Sequence, residues 1–279
     1  MGDMEKRAGL VHGALVVLLI IASFLIGSLY TKVQYLEKGA GKVATVAGDT
    51  TGTAQQQPQA PEPPKVTLDQ IKNIFKEAVV KFGDTGKNVL FVEIADPSCP
   101  YCHVAAGKNP TLNSEIDKQS GRKQFALVAD GGTYVAPVEE MKKLVDAGRA
   151  AFAWIYTPGH GNGEMGTKAL YCAFEGGKFW EVHDLLMTSE GYDVLNNTIK
   201  NDKTKSTNLA QFLSPVFDAV QMKSCLDSGK YDDQLSKDED LALGVGVKAT
   251  PGFFVNTTNF AGAYSWKDME STVTQVLNK

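Results

Sequence analysis

The sequence predicts an α/β domain with a helical insertion, preceded by one transmembrane helix. An uncharged apolar stretch near the start, strand-like runs alternating with helical patterns, and a purely helical block between two of those strands carry the prediction.

The chain has 279 residues, 43% hydrophobic and 22% charged, an ordinary globular composition with enough apolar mass for one medium domain. Its net charge of -4 offers no general basic face, so nucleic acid is not an expected partner. No residue from Ala8 to Thr31 is formally charged, and residues 10–30 as a helix would span about 30 Å, one hydrocarbon core. The stretch is longer than the roughly 7–15 residues of a signal-peptide core and no A-x-A site follows it, so it reads as an uncleaved anchor rather than a cleaved signal. Lys6 and Arg7 precede it and Lys32, Lys38 and Lys42 follow, which leaves the charge rule undecided. Residues 1–9 are then a short tail, and residues 31–66, ending in QQQPQAPEPPK, a flexible Pro/Gln/Thr-rich linker reaching on the order of 30 Å.

The folded domain is expected over 67–279. It opens with a capping box at Thr67 and a helix whose apolar face is Leu68, Ile71, Phe75, Val79 and Phe82. Asn88 to Ala95 reads as a buried strand leading to Cys99, with a helix from Pro100. Gln124 to Ala129 reads as a second strand, Val138 to Ala147 as a helix, and Ala151 to Tyr156 as a third strand. Helices alone are expected from Met165 to Gly244, at about 165–188, 209–228 and 231–243, within an insertion of about 161–244. A strand over Gly252 to Asn256 and a helix over Trp266 to Leu277 close the chain.

Cys99-Pro100-Tyr101-Cys102 is the motif that carries chemistry. At a helix amino terminus the unpaired N–H groups favour a thiolate, lowering a cysteine pKa from about 8.5 to roughly 3.5–7.5. Pro100 suits the first helical position, where no N–H is needed. Cys99 would form a mixed disulfide and Cys102 resolve it. An inward Glu93 would relay a proton to Cys102; an outward one would be a solvated strand residue. His103 either tunes the thiolate or is solvated on its helix. CPYCH also matches the haem c attachment pattern, so a tethered electron-transfer protein is the reading from another class. A zinc site would need a second close ligand pair, and the remaining cysteines stand alone, so no metal is expected. His160 sits in the glycine stretch PGHGNGEMG, read as a mobile loop, and His183 lies on an amphipathic helix; neither is expected to ligate.

VEIADPSCPYC (Val92 to Cys102), ALYCAFEGGKFWEVHDLL (Ala169 to Leu186) and SCLDSG with GVGVKATPGFFVN (Gly244 to Asn256) resemble the DsbA-like thiol-disulfide oxidoreductases, in the membrane-anchored branch with a second cysteine pair. The resemblance covers most of residues 88–279. It implies a thioredoxin fold, Pro251 as a cis-proline facing the active-site disulfide, and Thr250 presenting its backbone to an extended substrate. It pairs Cys172 with Cys225 as a structural disulfide, the alternative being two buried free thiols. An even cysteine count fits an oxidising compartment.

The implied activity is the introduction of disulfides into cysteine-containing proteins outside the cytoplasm, on the periplasmic or cell-surface side, with the amino terminus cytoplasmic. The implied partner is a quinone-linked membrane reoxidase of the DsbB or VKOR type; no dissociable cofactor is called for beyond the Cys99–Cys102 disulfide. A reductase or isomerase of the same fold is the nearest alternative, because the motif alone does not fix the potential. No added dimerisation segment is visible, which leans to a monomer. Two departures stand out: Ala249-Thr250-Pro251-Gly252 replaces the Gly-Thr-Pro-Thr of many relatives, and 107–137 matches poorly and is expected to be a groove-shaping loop.

Overall fold

A computed structural model describes residues 65–278. The expected anchor at 10–30 and nearly all of the expected linker lie outside these residues. Among the described residues no helix is long and apolar enough to cross a membrane.

The chain runs α1 (Leu68–Glu77), β1 (Val80–Phe82), β2 (Val89–Ala95), α2 (Pro100–Ala106), α3 (Pro110–Ser120), α4 (Pro137–Asp146) and β3 (Ala150–Tyr156). A helical block follows: α5 (Glu164–Glu175), α6 (Phe179–Leu186), α7 (Ser189–Asp193), a π-helical turn (Val194–Ile199), α8 (Ser206–Phe212), α9 (Ala219–Asp227) and α10 (Asp232–Gly244). Strands β4 (Gly252–Val255) and β5 (Thr258–Ala261) and helix α11 (Trp266–Leu277) complete it. The strand order is β1-β3-β2-β4-β5, with β2 parallel to β3 and every other pairing antiparallel.

Strand β2 lies at the centre and is buried along its whole length. Its run VLFVEIA does not alternate because both faces of the sheet are covered. Leu90, Val92 and Ile94 join Ile71, Ile74 and Phe75 of α1 and Ala242 of α10 in one core layer. Val89, Phe91 and Ala95 face the other way, towards Cys102, Met141 and the helical block. The chain therefore leaves the sheet at the carboxyl end of its central strand, directly under α2.

Several expectations are corrected. The first helix does not reach Phe82: Ala78 is extended, and Val80–Phe82 pairs with β3 instead. Val79 and Phe82 fit helical spacing, but Val80 and Phe82 fit the two-residue spacing of a strand, and the Phe82 ring is held by Phe152, Phe174, Phe179 and Trp180. Gln124 to Ala129 is not a strand. The Asp117 carboxylate accepts the N–H groups of Gln124, Phe125 and Ala126, so a side chain takes the donors a neighbouring strand would have used. The segment expected as loop contains α3, capped by Asn109, started by Pro110 and ended by the left-handed Gly121. The long helix over 165–188 breaks at Gly176-Gly177, and the one over 209–228 starts at Ser206 and breaks before Ala219. β5 is largely exposed and has no apolar run to announce it. It forms because Asn256, at φ 52°, turns a two-residue hairpin and accepts the Leu90 N–H at 2.8 Å. Cys172 and Cys225 are bridged, tying α5 to α9 across 53 residues.

Candidate active site

Cys99 is the residue that caps α2, and Pro100 occupies the first helical turn. The turn that delivers Cys99 closes from the Cys99 N–H to the Asp96 carbonyl at 2.9 Å. The Thr250–Pro251 peptide is cis, and the Cys99 thiol donates to the Thr250 carbonyl at 3.5 Å. The Thr250 hydroxyl is buried without a partner among the described residues; a thiolate at Cys99 would be its acceptor. Chain segments 151 residues apart thus meet at one sulfur.

The two thiols are unlike. The Cys102 thiol, hydrogen-bonded to the Cys99 sulfur, lowers the Cys99 pKa from 9.0 to about 7, the N–H groups of Tyr101 and Cys102 assist, and burial opposes. Cys102 is fully buried, and burial pushes its pKa well above the usual thiol range; the neighbouring Cys99 and Glu93 push it the same way. One sulfur is therefore poised as a nucleophile and leaving group, and the other is held as a thiol.

Glu93 points inward. It sits on β2 between Trp154 of β3 and Phe253 of β4, on the same face as Phe91 and Ala95. Both carboxyl oxygens are buried without a partner among the described residues, and burial raises its pKa from 4.5 to about 8. A carboxyl group kept protonated near neutrality can give and accept a proton in that range.

His103 is not solvated. Its ring lies between the carbonyls of Met187 and Pro97, each 2.9 Å from a ring nitrogen, and stands edge-on to Tyr192 at 4.9 Å. Burial brings its pKa down to about 4 against the pull of the two carbonyls. It is a clamp between α2 and the corner after α6. His183 is likewise buried, stacked on Phe179.

A groove of about 830 Å³ is lined by Tyr101 and Thr250, the chain neighbour and the hydrogen-bond partner of the Cys99 segment, together with Tyr264 and Lys267. One wall, Lys123, Phe125 and Tyr134, comes from the poorly matching segment 107–137. The rings of Tyr101, Phe125 and Tyr134 are stepped edge to face at 5.9 and 5.7 Å.

The sequence reading missed Asp96, Ser98 and Tyr192, and misjudged the glycine stretch. Asp96 accepts backbone N–H groups of Gly159 and His160, fixing that loop beside the cysteine. Tyr192, on α7, feels the Cys99 charge as well as burial, and its pKa is raised. The D-P-S run before Cys99 is a legible turn signal. Nothing local announces Tyr192.

A family model described as thioredoxin matches residues 135–275, which include Pro251 and the bridged cysteines but not Cys99 and Cys102. Among solved structures the fold is similar to oxidised BdbD from Bacillus subtilis, with a TM-score of 0.51, 20% identity, and 74% of this chain and 95% of that chain covered. A thioredoxin-like oxidoreductase from Silicibacter pomeroyi DSS-3 gives 0.51 at 19% identity over 77% and 99% of the two chains. DsbA from Chlamydia trachomatis gives 0.50 at 15% over 81% and 98%. At such identities the likeness is one of fold. Among curated proteins, 189 residues are 25% identical to the Na(+)/H(+) antiporter NhaA 3 of Salinispora tropica, 66% of this chain and 22% of that protein, so the chain spans only about a fifth of that relative's length. By the match over residues 135–275, the chain belongs to the thioredoxin family.

Proposed function

We propose that the chain is a membrane-tethered thiol-disulfide oxidoreductase that introduces disulfides into cysteine-containing proteins outside the cytoplasm. The observation that carries the exchange chemistry is the opposition of the two thiols, Cys99 lowered to about 7 and Cys102 pushed up by burial and by the charges of Cys99 and Glu93. A substrate thiolate attacks the Cys99 sulfur of the Cys99–Cys102 disulfide, and Cys102 leaves, taking a proton from the buried carboxyl group of Glu93. A second substrate thiolate attacks the mixed disulfide at the substrate sulfur and expels Cys99 as a thiolate. Two electrons pass to the enzyme and one disulfide forms in the substrate. Thr250 orients the substrate backbone, and the groove lined by Tyr101, Phe125 and Tyr134 receives the flanking residues. Regeneration requires an oxidant, for which a quinone-linked reoxidase of the DsbB or VKOR type is the candidate, and no dissociable cofactor enters the exchange itself. The anchor at 10–30 would hold the domain on the extracytoplasmic face.

A reductase of the same fold is the second reading. The lowering of the Cys99 pKa serves a reductase as well as an oxidant, because a favoured thiolate does not by itself set the redox potential. The haem reading gains nothing from the geometry, because both ring nitrogens of His103, the would-be axial ligand, face backbone carbonyls. The deciding experiment is an equilibrium titration of the full chain in detergent against glutathione. A potential near about -120 mV supports the oxidant, and one near about -270 mV replaces it with the reductase.

A further inference from the structure

Asp96 is fully buried, three positions before Cys99. Its Oδ1 accepts the Ser98 N–H at 2.7 Å and the Ser98 hydroxyl at 2.6 Å. Its Oδ2 accepts the N–H groups of Gly159 at 2.8 Å, His160 at 2.9 Å and Gly161 at 3.4 Å. One carboxylate thus joins the turn that carries the cysteine to a loop 63 residues further on. A ring of hydrogen bonds doubles the joint. The Asn162 N–H donates to the Ser98 hydroxyl at 3.1 Å, the Asn162 amide donates to Asn196 Oδ1 at 3.1 Å, and the Asn196 amide returns to the Ser98 carbonyl at 3.1 Å. Asn196 is presented by the π-helical turn, a local departure from the α-helix that recurs at functional sites.

The glycines of PGHGNGEMG follow from this joint. A Cβ on Gly159 would lie 1.7 Å from Thr250 Oγ1 and 3.4 Å from the Cys99 Cβ, and one on Gly163 would lie 1.8 Å from Asp96 Oδ1. The loop is pressed onto Thr250 and Cys99 at distances only glycine allows. It is anchored, not mobile.

We propose that Asp96 is a positioning residue of the exchange site, holding the Gly159–Gly161 backbone against Thr250 and Cys99 and so fixing the Thr250 backbone against which an extended substrate chain lies as it reaches the sulfur. The proposal rests on the exchange reading above. A small dithiol needs only the sulfur; a peptide must also lie along a Thr250 backbone that the loop buttresses from behind. Loss of the anchor therefore acts on the peptide first.

The test compares oxidised full-length wild type with Asp96→Asn in detergent. The amide keeps the volume but turns an NH2 donor towards N–H groups that had an acceptor. Second-order rates of reduction are measured with a cysteine-containing peptide and with dithiothreitol, and hydrogen exchange is followed at the Gly159, His160 and Gly161 amides. The peptide-to-dithiothreitol rate ratio should fall about tenfold, the effect of losing one hydrogen bond to a charged group, and the loop amides should exchange faster. Ser98→Ala keeps the carboxylate and removes the hydroxyl between Asp96 and Asn162. It should lower the same ratio by about threefold, and it decides the matter if Asp96→Asn does not fold. An unchanged ratio, including equal losses with both reductants, overturns the positioning role. A wild-type chain that the peptide does not reduce at all overturns the exchange reading and the proposal together.

Discussion

Replacing Glu93 by Gln should flatten the pH dependence of stability between about pH 5 and 8. The carboxyl group is wholly buried and its pKa rises from 4.5 to about 8, with desolvation as the cause. The unfolded chain releases this proton near 4.5 while the folded chain keeps it until about 8, so across that window the unfolded state binds fewer protons and stability falls as pH rises. At 1.36 kcal/mol per pH unit the loss accumulates to about 5 kcal/mol by pH 8, about 3 kcal/mol of it by pH 7. The assay is urea unfolding of the oxidised protein at several pH values, wild type against Glu93→Gln. In the disulfide form Cys99 and Cys102 do not titrate, so the difference between the two slopes isolates residue 93. Wild type should lose stability relative to the variant as pH rises, with the difference complete near pH 8. Parallel slopes would show that Glu93 ionises normally in the fold, and its role as proton relay to Cys102 would go with that result.

Cys102→Ala removes the hydrogen bond that contributes most to the low Cys99 pKa, so the thiolate absorbance of Cys99 should titrate well above about 7; a midpoint that stayed near 7 would leave the helix terminus as sufficient cause. The same variant should accumulate mixed disulfides with client proteins, since Cys102 is no longer present to attack them at the Cys99 sulfur. Replacing both Cys172 and Cys225 by Ser opens a 53-residue loop and should lower stability by roughly 2–4 kcal/mol in denaturant titrations; an accompanying shift of the Cys99 titration would contradict the purely structural role given to the bridge.

The centre of the site was legible because its signals are local. VLFVEIA followed by Cys99-Pro100 is a buried strand running into a proline-started helix, and both halves lie within a dozen residues. What escaped depended on distant partners. Gln124–Ala129 has strand composition, but Asp117 takes its N–H groups; Phe82 has helical spacing, but an aromatic cluster from β3, α5 and α6 draws it into a strand. Asp96 looks like an ordinary loop aspartate until the glycine stretch folds onto it. The direction Glu93 faces follows from the register of β2 between β3 and β4, which a single sequence does not state.

The groove wall formed by Lys123, Phe125 and Tyr134 belongs to a segment whose backbone is satisfied largely from within, by Asp117 and by one bridge between Leu127 and Tyr134. The sheet does not depend on it for a strand. The wall is therefore a satellite layer: Phe125 and Tyr134 pack on Val104 of α2 and Phe125 on Tyr101, while Glu93 and Pro251 are held by the sheet and its neighbouring turns. On the exchange reading, the exposed side chains of 121–134 become the part of the site free to vary with the client, and the two buried rings the part tied to the redox helix.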